Sequence, residues 1–208
     1  MMVTKRKDNL ILGTGGHAKV VLAALASRGE SAQGWVDPRP ELVGTRIAGV
    51  EIIGTDSILE KLSVKTTLLY SGVGAARDTR RRAELFERCR KIGFCFPALI
   101  AASAEVSSSA SLGAGCQILT RAVVHPDAVI GNDAVVNTAA VIEHDCRIGA
   151  HAFIGPGAVL CGGAELGDGA FVGAGAIILP GIRIGRNALV AAGMTLRRDL
   201  ADGRKVVR

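Results

Sequence analysis

The fold is decided by a run of six-residue units in the middle of the chain: AVVHPD AVIGND AVVNTA AVIEHD CRIGAH AFIGPG, residues 122–157. Each unit opens with Ala or Cys and has Val or Ile at its third position. At the same spacing, every sixth residue from Val106 to Leu196 is Leu, Ile or Val, without exception. A period of six is typical of a parallel β-helix, in which each unit forms one side and one corner of a triangular coil. We therefore predict such a helix, of about five coils, over residues 106–196.

Glycine and charge divide the chain into two parts. Residues 106–196 hold 15 of the 27 glycines but only 10 of the 44 charged side chains, and residues 1–105 hold 27 of those charges. Only seven of the 208 residues are aromatic, so the interior must be built from aliphatic residues and Ala. The absence of a Gly-X-Y period and the moderate Pro and Gly content exclude collagen and a low-complexity chain.

Residues 1–105 alternate short apolar runs with helical patterns, as parallel β-α units do. A buried strand at residues 10–12 precedes a glycine-rich turn at 13–17 and a helix over about 18–28. Further strands are predicted at 34–36, 50–53, 67–71 and 94–100, with helices at 55–62 and 77–91. We predict a small α/β, Rossmann-like domain over residues 1–105, the β-helix domain over residues 106–196 and a C-terminal tail over residues 197–208.

Composition and cysteine usage indicate the compartment. The charged start at residues 5–8 lacks the apolar stretch of a signal peptide, and no apolar run is long enough for a spanning helix. The five cysteines are scattered without a Cys-x-x-Cys pair, which favours buried thiols in a reducing compartment. We expect a cytoplasmic protein without a membrane or nucleic-acid partner. The net charge of +6 suits anionic small ligands as well as nucleic acid and decides nothing alone.

Two segments carry a resemblance to a known family. The hexad spacing resembles the left-handed parallel β-helix acyltransferases. ILGTGGHAKVV (residues 11–21) and NTAAVIEHDCRIG (residues 137–149) narrow the resemblance to nucleotide-sugar N-acetyltransferases and sialic-acid O-acetyltransferases. This resemblance implies an acetyl-CoA-dependent enzyme that forms a homotrimer, with active sites at the subunit interfaces and no metal.

His144 is the candidate catalytic residue. Its place in the hexad puts it on the outer surface of the coil, between Glu143 and Asp145. An imidazole there can accept a proton near neutral pH, and a carboxylate can orient it. The resemblance implies that His144 is the general base and that Asp145 supports it. Taken alone, His144 also fits a solvated surface histidine.

The other histidines and the cofactor residues are weaker predictions. His125 and His151 lie near His144 in the coil order, but the close histidine pair of β-helix zinc sites is missing, so no metal is expected. The resemblance implies cofactor contacts at Phe153, Ala174 and Arg183. The family often has His where this chain has Phe153.

The glycine-rich turn is the candidate substrate site. Amides at the start of a helix bind phosphate, although the dinucleotide pattern is incomplete because Ala18 stands at its last position. Asp37, at the end of the second strand, could contact a ribose or a base edge. The resemblance implies that a nucleotide-linked sugar is bound by Thr14, Gly15, Gly16, Asp37, Pro38 and Gly74. His17 fits a loop stabiliser as well as a ligand.

The function expected is transfer of acetyl from acetyl-CoA to the amino group of a nucleotide-linked amino-deoxysugar. Three alternatives stay open: O-acetylation of a sialic-acid-type sugar, a non-catalytic β-helix that binds nucleotide sugars or assembles, and an NAD-linked enzyme. The trimer is expected to bury outward-facing valines of the coil, which are Val123, Val129, Val135, Val141 and Val159.

Overall fold

The computed structural model describes residues 7–207, so the predicted charged start at Lys5 and Arg6 lies outside the described residues. The first part of the chain forms five strands and two helices. In chain order these are β1 (Asp8–Leu12), α1 (Gly16–Ser27), β2 (Gly34–Val36), β3 (Arg46–Ile47), β4 (Val50–Gly54), β5 (Thr67–Ser71) and α2 (Arg80–Ile92). Short 3-10 helices stand at Pro40–Leu42 and Asp56–Glu60, the second within the predicted helix at 55–62.

The first sheet has the strand order β3-β4-β2-β1-β5. Only β3 runs antiparallel, and the other neighbours are parallel, as the β-α alternation predicts. Apolar side chains on its strands, Ile11, Trp35 and Tyr70 among them, form a buried core with α1. β1 and β5 are parallel neighbours in this sheet, so the loops that follow them lie side by side at the carboxyl ends of the strands.

The second part is a parallel β-helix of eighteen two-residue strands in three sheets. The strands are Leu99–Ile100 (β6), Glu105–Val106 (β7), Ser111–Leu112 (β8), Gln117–Ile118 (β9), Val123–Val124 (β10), Val129–Ile130 (β11), Val135–Val136 (β12), Val141–Ile142 (β13), Arg147–Ile148 (β14), Phe153–Ile154 (β15), Val159–Leu160 (β16), Glu165–Leu166 (β17), Phe171–Val172 (β18), Ile177–Ile178 (β19), Arg183–Ile184 (β20), Leu189–Val190 (β21), Thr195–Leu196 (β22) and Lys205–Val206 (β23).

The three faces follow one another along the chain. The first face is β6-β9-β12-β15-β18-β21-β23, the second is β7-β10-β13-β16-β19-β22, and the third is β8-β11-β14-β17-β20. The first corner is the turn from the first face to the second face, and the second corner is the turn from the second face to the third face. The third corner is the turn from the third face to the first face of the next coil. The fold class expected from the hexads, an α/β domain followed by a parallel β-helix, is confirmed.

The core of the coil consists of the aliphatic third position of each unit and the Ala or Cys at its first position. Ile142, Leu160 and Ile178 stack on one another and are fully buried, as are Ala140 and Ala158. Corners need a left-handed backbone at the sixth position, and non-glycine residues adopt it there, including Asp133 at φ +56° and Asp145 at φ +60°. Such conformations cost about 1 kcal/mol each, which the regular stacking offsets.

One predicted strand belongs elsewhere. Residues 94–100 were expected to close the first sheet, but Leu99–Ile100 pairs with β9 of the coil. Only an isolated bridge from Leu68 to Cys95 joins this segment to the first sheet. The physical reason is the spacing: Ile100 stands six residues before Val106, so the stacking of the coil extends to it.

The outward-facing valines divide over three faces. Val123, Val141 and Val159 share the second face, where Ile177 continues the same apolar row. Val129 lies on the third face and is 38% exposed. The expectation for Val135 is wrong, because it lies on the first face and is buried in the cluster formed with the first sheet. None of the helices within residues 7–207 has the length and apolar character needed to cross a membrane.

Candidate active site

A cavity of about 1450 Å³ lies between the first sheet and the first corner of the coil. All six predicted substrate residues line it, namely Thr14, Gly15, Gly16, Asp37, Pro38 and Gly74. They meet because they follow the carboxyl ends of β1, β2 and β5, which share one edge of the sheet. The coil contributes Asn137, Thr138, Phe153 and Pro156 to the opposite wall. The cavity is large enough for a nucleotide-sized ligand.

The glycine-rich turn presents free amides to this cavity. Gly13 has a φ of +88°, and its N–H donates to the Val36 carbonyl at 2.7 Å, which turns the chain out of β1. Gly15 caps α1 without a side-chain hydrogen bond. A Cβ on Gly15 or Gly16 would meet no atom within 4 Å, so the space in front of the helix start is open. This geometry favours an anionic group such as phosphate.

Asp37 is held by two neighbours on the cavity wall. Thr14 Oγ1 donates to Asp37 Oδ2 at 2.6 Å, and Arg39 Nε donates to Asp37 Oδ1 at 2.8 Å. Arg39 Nη2 also donates to Thr14 Oγ1 at 2.8 Å. Asp37 is buried, and the Arg39 hydrogen bonds hold the pKa of its carboxyl well below the usual range against the opposing effect of burial. The wall therefore carries a fixed carboxylate; Arg39, two residues after Asp37, was missed by the sequence analysis.

His17 is a neutral imidazole bound to the coil. Gln117 Nε2 donates to the Ser71 carbonyl at 2.7 Å, so its Oε1 accepts a hydrogen bond from His17 Nε2 at 2.8 Å. This arrangement places the proton on Nε2 and leaves Nδ1 as an acceptor. Burial, assisted by the positive charge of Arg82, lowers the pKa of His17 to about 4, against the effect of the Gln117 bond. His17 therefore ties the glycine-rich turn to the coil, and it also lines the cavity.

His144 and Asp145 form a hydrogen-bonded pair on the second corner. His144 Nδ1 lies 2.7 Å from Asp145 Oδ2, and the two side chains are 63% and 66% exposed. The Asp145 hydrogen bond is the main cause that raises the pKa of His144 above its ordinary value. With Nδ1 facing the carboxylate, Nε2 is the basic atom. The ring lies against Gly162, where a Cβ would be 2.7 Å from His144 Nε2.

The predicted catalytic pair does not line the cavity of its own chain. His144 and Asp145 follow β13 on the second corner, whereas the coil residues at the cavity, Asn137 and Thr138, follow β12 on the first corner. His125 Nε2 stands 3.9 Å from Glu143 Oε2 beside them. Within one chain, the candidate base and the candidate substrate site are therefore separated by the width of one face of the coil.

The three predicted cofactor residues are not together. Phe153 lines the large cavity and stacks on Phe171, with ring centroids 5.4 Å apart. Ala174 is exposed on the first corner. Arg183 lies on the third face, 3.4 Å from Glu165, at a second cavity of about 610 Å³. Among residues 7–207, His, Cys, Asp and Glu side chains form no group of three or more that could hold a metal.

Family models match both parts of the chain. The PglD N-terminal domain matches residues 9–89, the bacterial transferase hexapeptide (six repeats) matches residues 127–162, and the hexapeptide repeat of succinyl-transferase matches residues 163–198. A comparison with curated protein sequences finds no match.

Solved structures align with nearly the whole chain. PerB from Caulobacter crescentus, crystallised with CoA and GDP-perosamine, is 38% identical with a TM-score of 0.87, covering 94% of this chain and 91% of PerB. The acetyltransferase domain of PglB from Neisseria gonorrhoeae, in complex with acetyl coenzyme A, is 32% identical with a TM-score of 0.89, covering 97% and 96%. WeeI from Acinetobacter baumannii, 21% identical with a TM-score of 0.78 over 97% of both chains, shares the fold.

The α/β domain, the hexapeptide coil and the cavity between them define a hexapeptide-repeat acyltransferase. Within this class, the chain belongs to the nucleotide-sugar acetyltransferase family that includes PerB and PglB. The resemblance drawn from residues 11–21 and 137–149 is therefore confirmed, and so is the expectation of an acyltransferase.

Proposed function

We propose that this protein transfers acetyl from acetyl-CoA to the amino group of a nucleotide-linked amino-deoxysugar. The observation that carries the proposal is the single cavity that collects Thr14, Gly15, Gly16, Asp37, Pro38 and Gly74 in a chain 38% identical to PerB. PerB itself was crystallised with CoA and GDP-perosamine, a nucleotide-linked amino sugar. The cytoplasmic location and the lack of a metal requirement remain predictions.

The cavity supports a particular orientation of the nucleotide sugar. The diphosphate would lie at the start of α1, against the amides of Gly15 and Gly16. Thr14 and Arg39 already donate two hydrogen bonds to each oxygen of Asp37, so donors on the nucleobase or ribose would take the place of those from the exposed Arg39 side chain. The sugar would then extend towards Gly74 and the coil residues Asn137 and Thr138, which line the far wall.

The chemistry proposed for His144 is general-base catalysis. The neutral amine attacks the carbonyl carbon of the acetyl thioester while His144 Nε2 accepts the proton that leaves the nitrogen. When the carbon–sulfur bond of the intermediate breaks, the protonated imidazole returns that proton to the CoA sulfur. Asp145 holds the ring through Nδ1 at 2.7 Å and stabilises the imidazolium. The products are the N-acetylated sugar and free CoA.

A homotrimer would complete this site. Because His144 does not line the cavity of its own chain, we propose that the second corner of one subunit meets the cavity of the next. The apolar row of Val123, Val141, Val159 and Ile177 runs up the second face beside that corner and supports burial of this face against a neighbour. Acetyl-CoA would lie between adjacent coils, with Ala174 and Arg183 as candidate contacts. Phe153 fits the nucleotide-sugar cavity instead.

The experiment is an acetylation assay with GDP-, UDP-, dTDP- and CMP-linked amino sugars, analysed by mass spectrometry. We expect one amino sugar to gain an acetyl group, and His144→Ala to cut turnover about 100-fold or more while the fold is retained. A hydroxy sugar without an amine is the matched control. Acetylation of that control would instead support O-acetyl transfer. Binding of sugar nucleotides without any turnover would support a non-catalytic binding protein.

A further inference from the structure

A buried ion pair joins α2 to the coil beside the cavity. Arg82 on α2 and Asp133 on the third corner are 1% and 0% exposed, and Arg82 Nη2 lies 2.8 Å from Asp133 Oδ1. Arg82 is the only fully buried cation within residues 7–207. Burial lowers the pKa of Arg82 and Asp133 opposes that effect, yet a guanidinium stays charged in proteins. Arg82 therefore carries its charge into the interior, where it faces the carboxyl group of Asp133.

Arg82 also binds the backbone of a segment that lines the cavity. Its Nη1 donates to the Val73 carbonyl at 2.9 Å and approaches the Ser71 carbonyl at 3.4 Å, while its Nε donates to the Asp133 carbonyl at 3.2 Å. Gln117 of the coil donates to the same Ser71 carbonyl at 2.7 Å. The segment 71–74, which ends β5 and supplies Gly72, Val73 and Gly74 to the cavity wall, is thus fixed by polar groups from α2 and the coil.

The segment has almost no room to move independently. A Cβ at Gly72 would stand 2.6 Å from Ala18 Cβ and 2.8 Å from the Leu12 carbonyl oxygen. At Gly74 it would stand 3.0 Å from His17 Cβ. Because the glycine-rich turn and segment 71–74 are packed so closely, a shift of one displaces the other. Both of these loops line the cavity.

The second oxygen of Asp133 is also occupied. His151 Nδ1 lies 3.1 Å from Asp133 Oδ2, and His151 Nε2 lies 3.4 Å from Glu87 on α2. This chain of contacts orients the carboxylate towards Arg82. A buried ion pair contributes little net stability compared with apolar residues of similar size, because both charges lose their water. Arg82 is directional through its hydrogen bonds to three backbone carbonyls, whereas Arg82 Nη2 and Asp133 Oδ1 face each other as charges without hydrogen-bond geometry.

We propose that Arg82 is a positioning residue for the sugar-nucleotide site, which acts through segment 71–74 and is oriented by Asp133. The pair locks that segment to the coil, so that the cavity wall contributed by the first sheet keeps its register with the wall contributed by the first corner. This inference rests on the proposed function, since it assigns the loop to the sugar end of the nucleotide sugar. It assigns Arg82 no contact with the reacting atoms.

The test compares Arg82→Met with Arg90→Met, a matched change on the exposed side of the same helix. For Arg82→Met we expect the KM for the nucleotide sugar to rise about 10-fold, with the KM for acetyl-CoA changed less than about 2-fold. Backbone amides 71–74 of the ligand-free variant are expected to exchange hydrogen faster than in the wild type. Arg90→Met should change none of these quantities. Should Arg82→Met fail to fold, Arg82→Lys, which keeps the charge and loses the fork, carries the same comparison.

The outcomes separate the two proposals. Unchanged exchange at amides 71–74 in a folded Arg82 variant would overturn the positioning role, whatever the enzyme acetylates. An equal rise in both KM values would overturn it as well, because it would indicate a general loss of structure. A wild-type protein that acetylates no nucleotide sugar would overturn the proposed function instead, and the exchange measurement would still report whether Arg82 fixes the segment.

Discussion

The imidazole of His144 lies against Gly162, the residue directly above it on the next coil. A Cβ built at Gly162 would be 2.7 Å from both Nε2 and Cε1 of the ring. The contact follows from the period of the coil, because residues eighteen apart occupy equivalent positions on successive turns. Gly162 therefore provides the space in which the candidate base sits.

Gly162→Ala is expected to displace the His144 ring and to reduce kcat about 10-fold or more, because a general base must keep hydrogen-bond reach to its proton. The φ angle at Gly162 lies outside the left-handed region, so alanine is tolerated by the backbone. Steady-state kinetics measure kcat, and circular dichroism checks that the variant keeps its fold. Gly193→Ala, at a corner φ of +69° with no atom within 4 Å of its Cβ, is the control: it strains the backbone without displacing a ring and should retain kcat. Full activity of Gly162→Ala would contradict the role given to His144.

The pH profile reports the His144–Asp145 pair. Asp145 raises the pKa of His144, so the base form is lost below a pH that lies above the ordinary imidazole value. Replacing Asp145 by Asn removes the charge and lowers that pKa, and the acid limb of kcat/KM is expected to move to lower pH. Asn also tolerates the φ of +60° at this corner. The maximal rate should fall, since the ring loses its orienting carboxylate. An acid limb that stays in place would show that another group titrates.

The position of the site residues follows from local patterns, but their partners do not. The family resemblance groups the six cavity residues, and the physical reason that they meet is that the ends of neighbouring parallel strands share an edge. The exposed corner position of His144 followed from the hexads, and the same spacing could have identified Gly162. By contrast, the bond from His17 to Gln117 joins residues 100 positions apart. It depends on how the first sheet packs on the coil, which no periodicity records.

The buried pair of Arg82 and Asp133 illustrates the same limit. Arg82 stands in a run of arginines on a helix that reads as solvent-exposed, and Asp133 occupies a corner position where Asp127 and Asp145 are exposed. Only the docking of α2 against the third corner buries both. The location of Leu99–Ile100 in the coil rather than the first sheet is a comparable case, since an apolar run fits either sheet.

Asp37 is expected to make stability depend on pH. Its pKa is depressed in the folded protein, so its contribution is fully present above the pKa of an unfolded Asp, about 3.9, and is lost as the pH falls through the lower folded value. Asp37→Asn should therefore cost about 1.5–3 kcal/mol of unfolding free energy at pH 7, the range for hydrogen bonds to a charged group. The difference between variant and wild type should shrink below about pH 4. Urea unfolding of both proteins at pH 7 and at a pH below about 4 measures this difference in unfolding free energy.

The control for this experiment is Asp8→Asn, at an exposed carboxylate that begins β1. It should leave the unfolding free energy nearly unchanged at both pH values. A deficit of Asp37→Asn that is equally large in acid would contradict the linkage, because it would have to arise from packing and not from the charge. Nucleotide-sugar binding by Asp37→Asn should also weaken at neutral pH, where the carboxylate is ionised.

Mixing two inactive variants tests whether the base and the cavity come from different subunits. His144→Ala lacks the base, and Asp37→Leu is expected to lack a competent nucleotide site. The two variants are unfolded, mixed in equal amounts and refolded together. A site shared between neighbours is then intact where a His144→Ala subunit supplies the cavity and an Asp37→Leu subunit supplies the second corner with its His144. Random assembly of a cyclic trimer gives this combination at about one site in four, so we expect about a quarter of wild-type activity. Each variant refolded alone is the control and should stay inactive. Size-exclusion chromatography should give three times the chain mass of 21.4 kDa. Val141→Glu places a charge in the apolar row of the second face, so it should reduce the measured mass to that of one chain and abolish the recovered activity. A mixture that remains inactive while it assembles as a trimer would place the base and cavity in the same subunit.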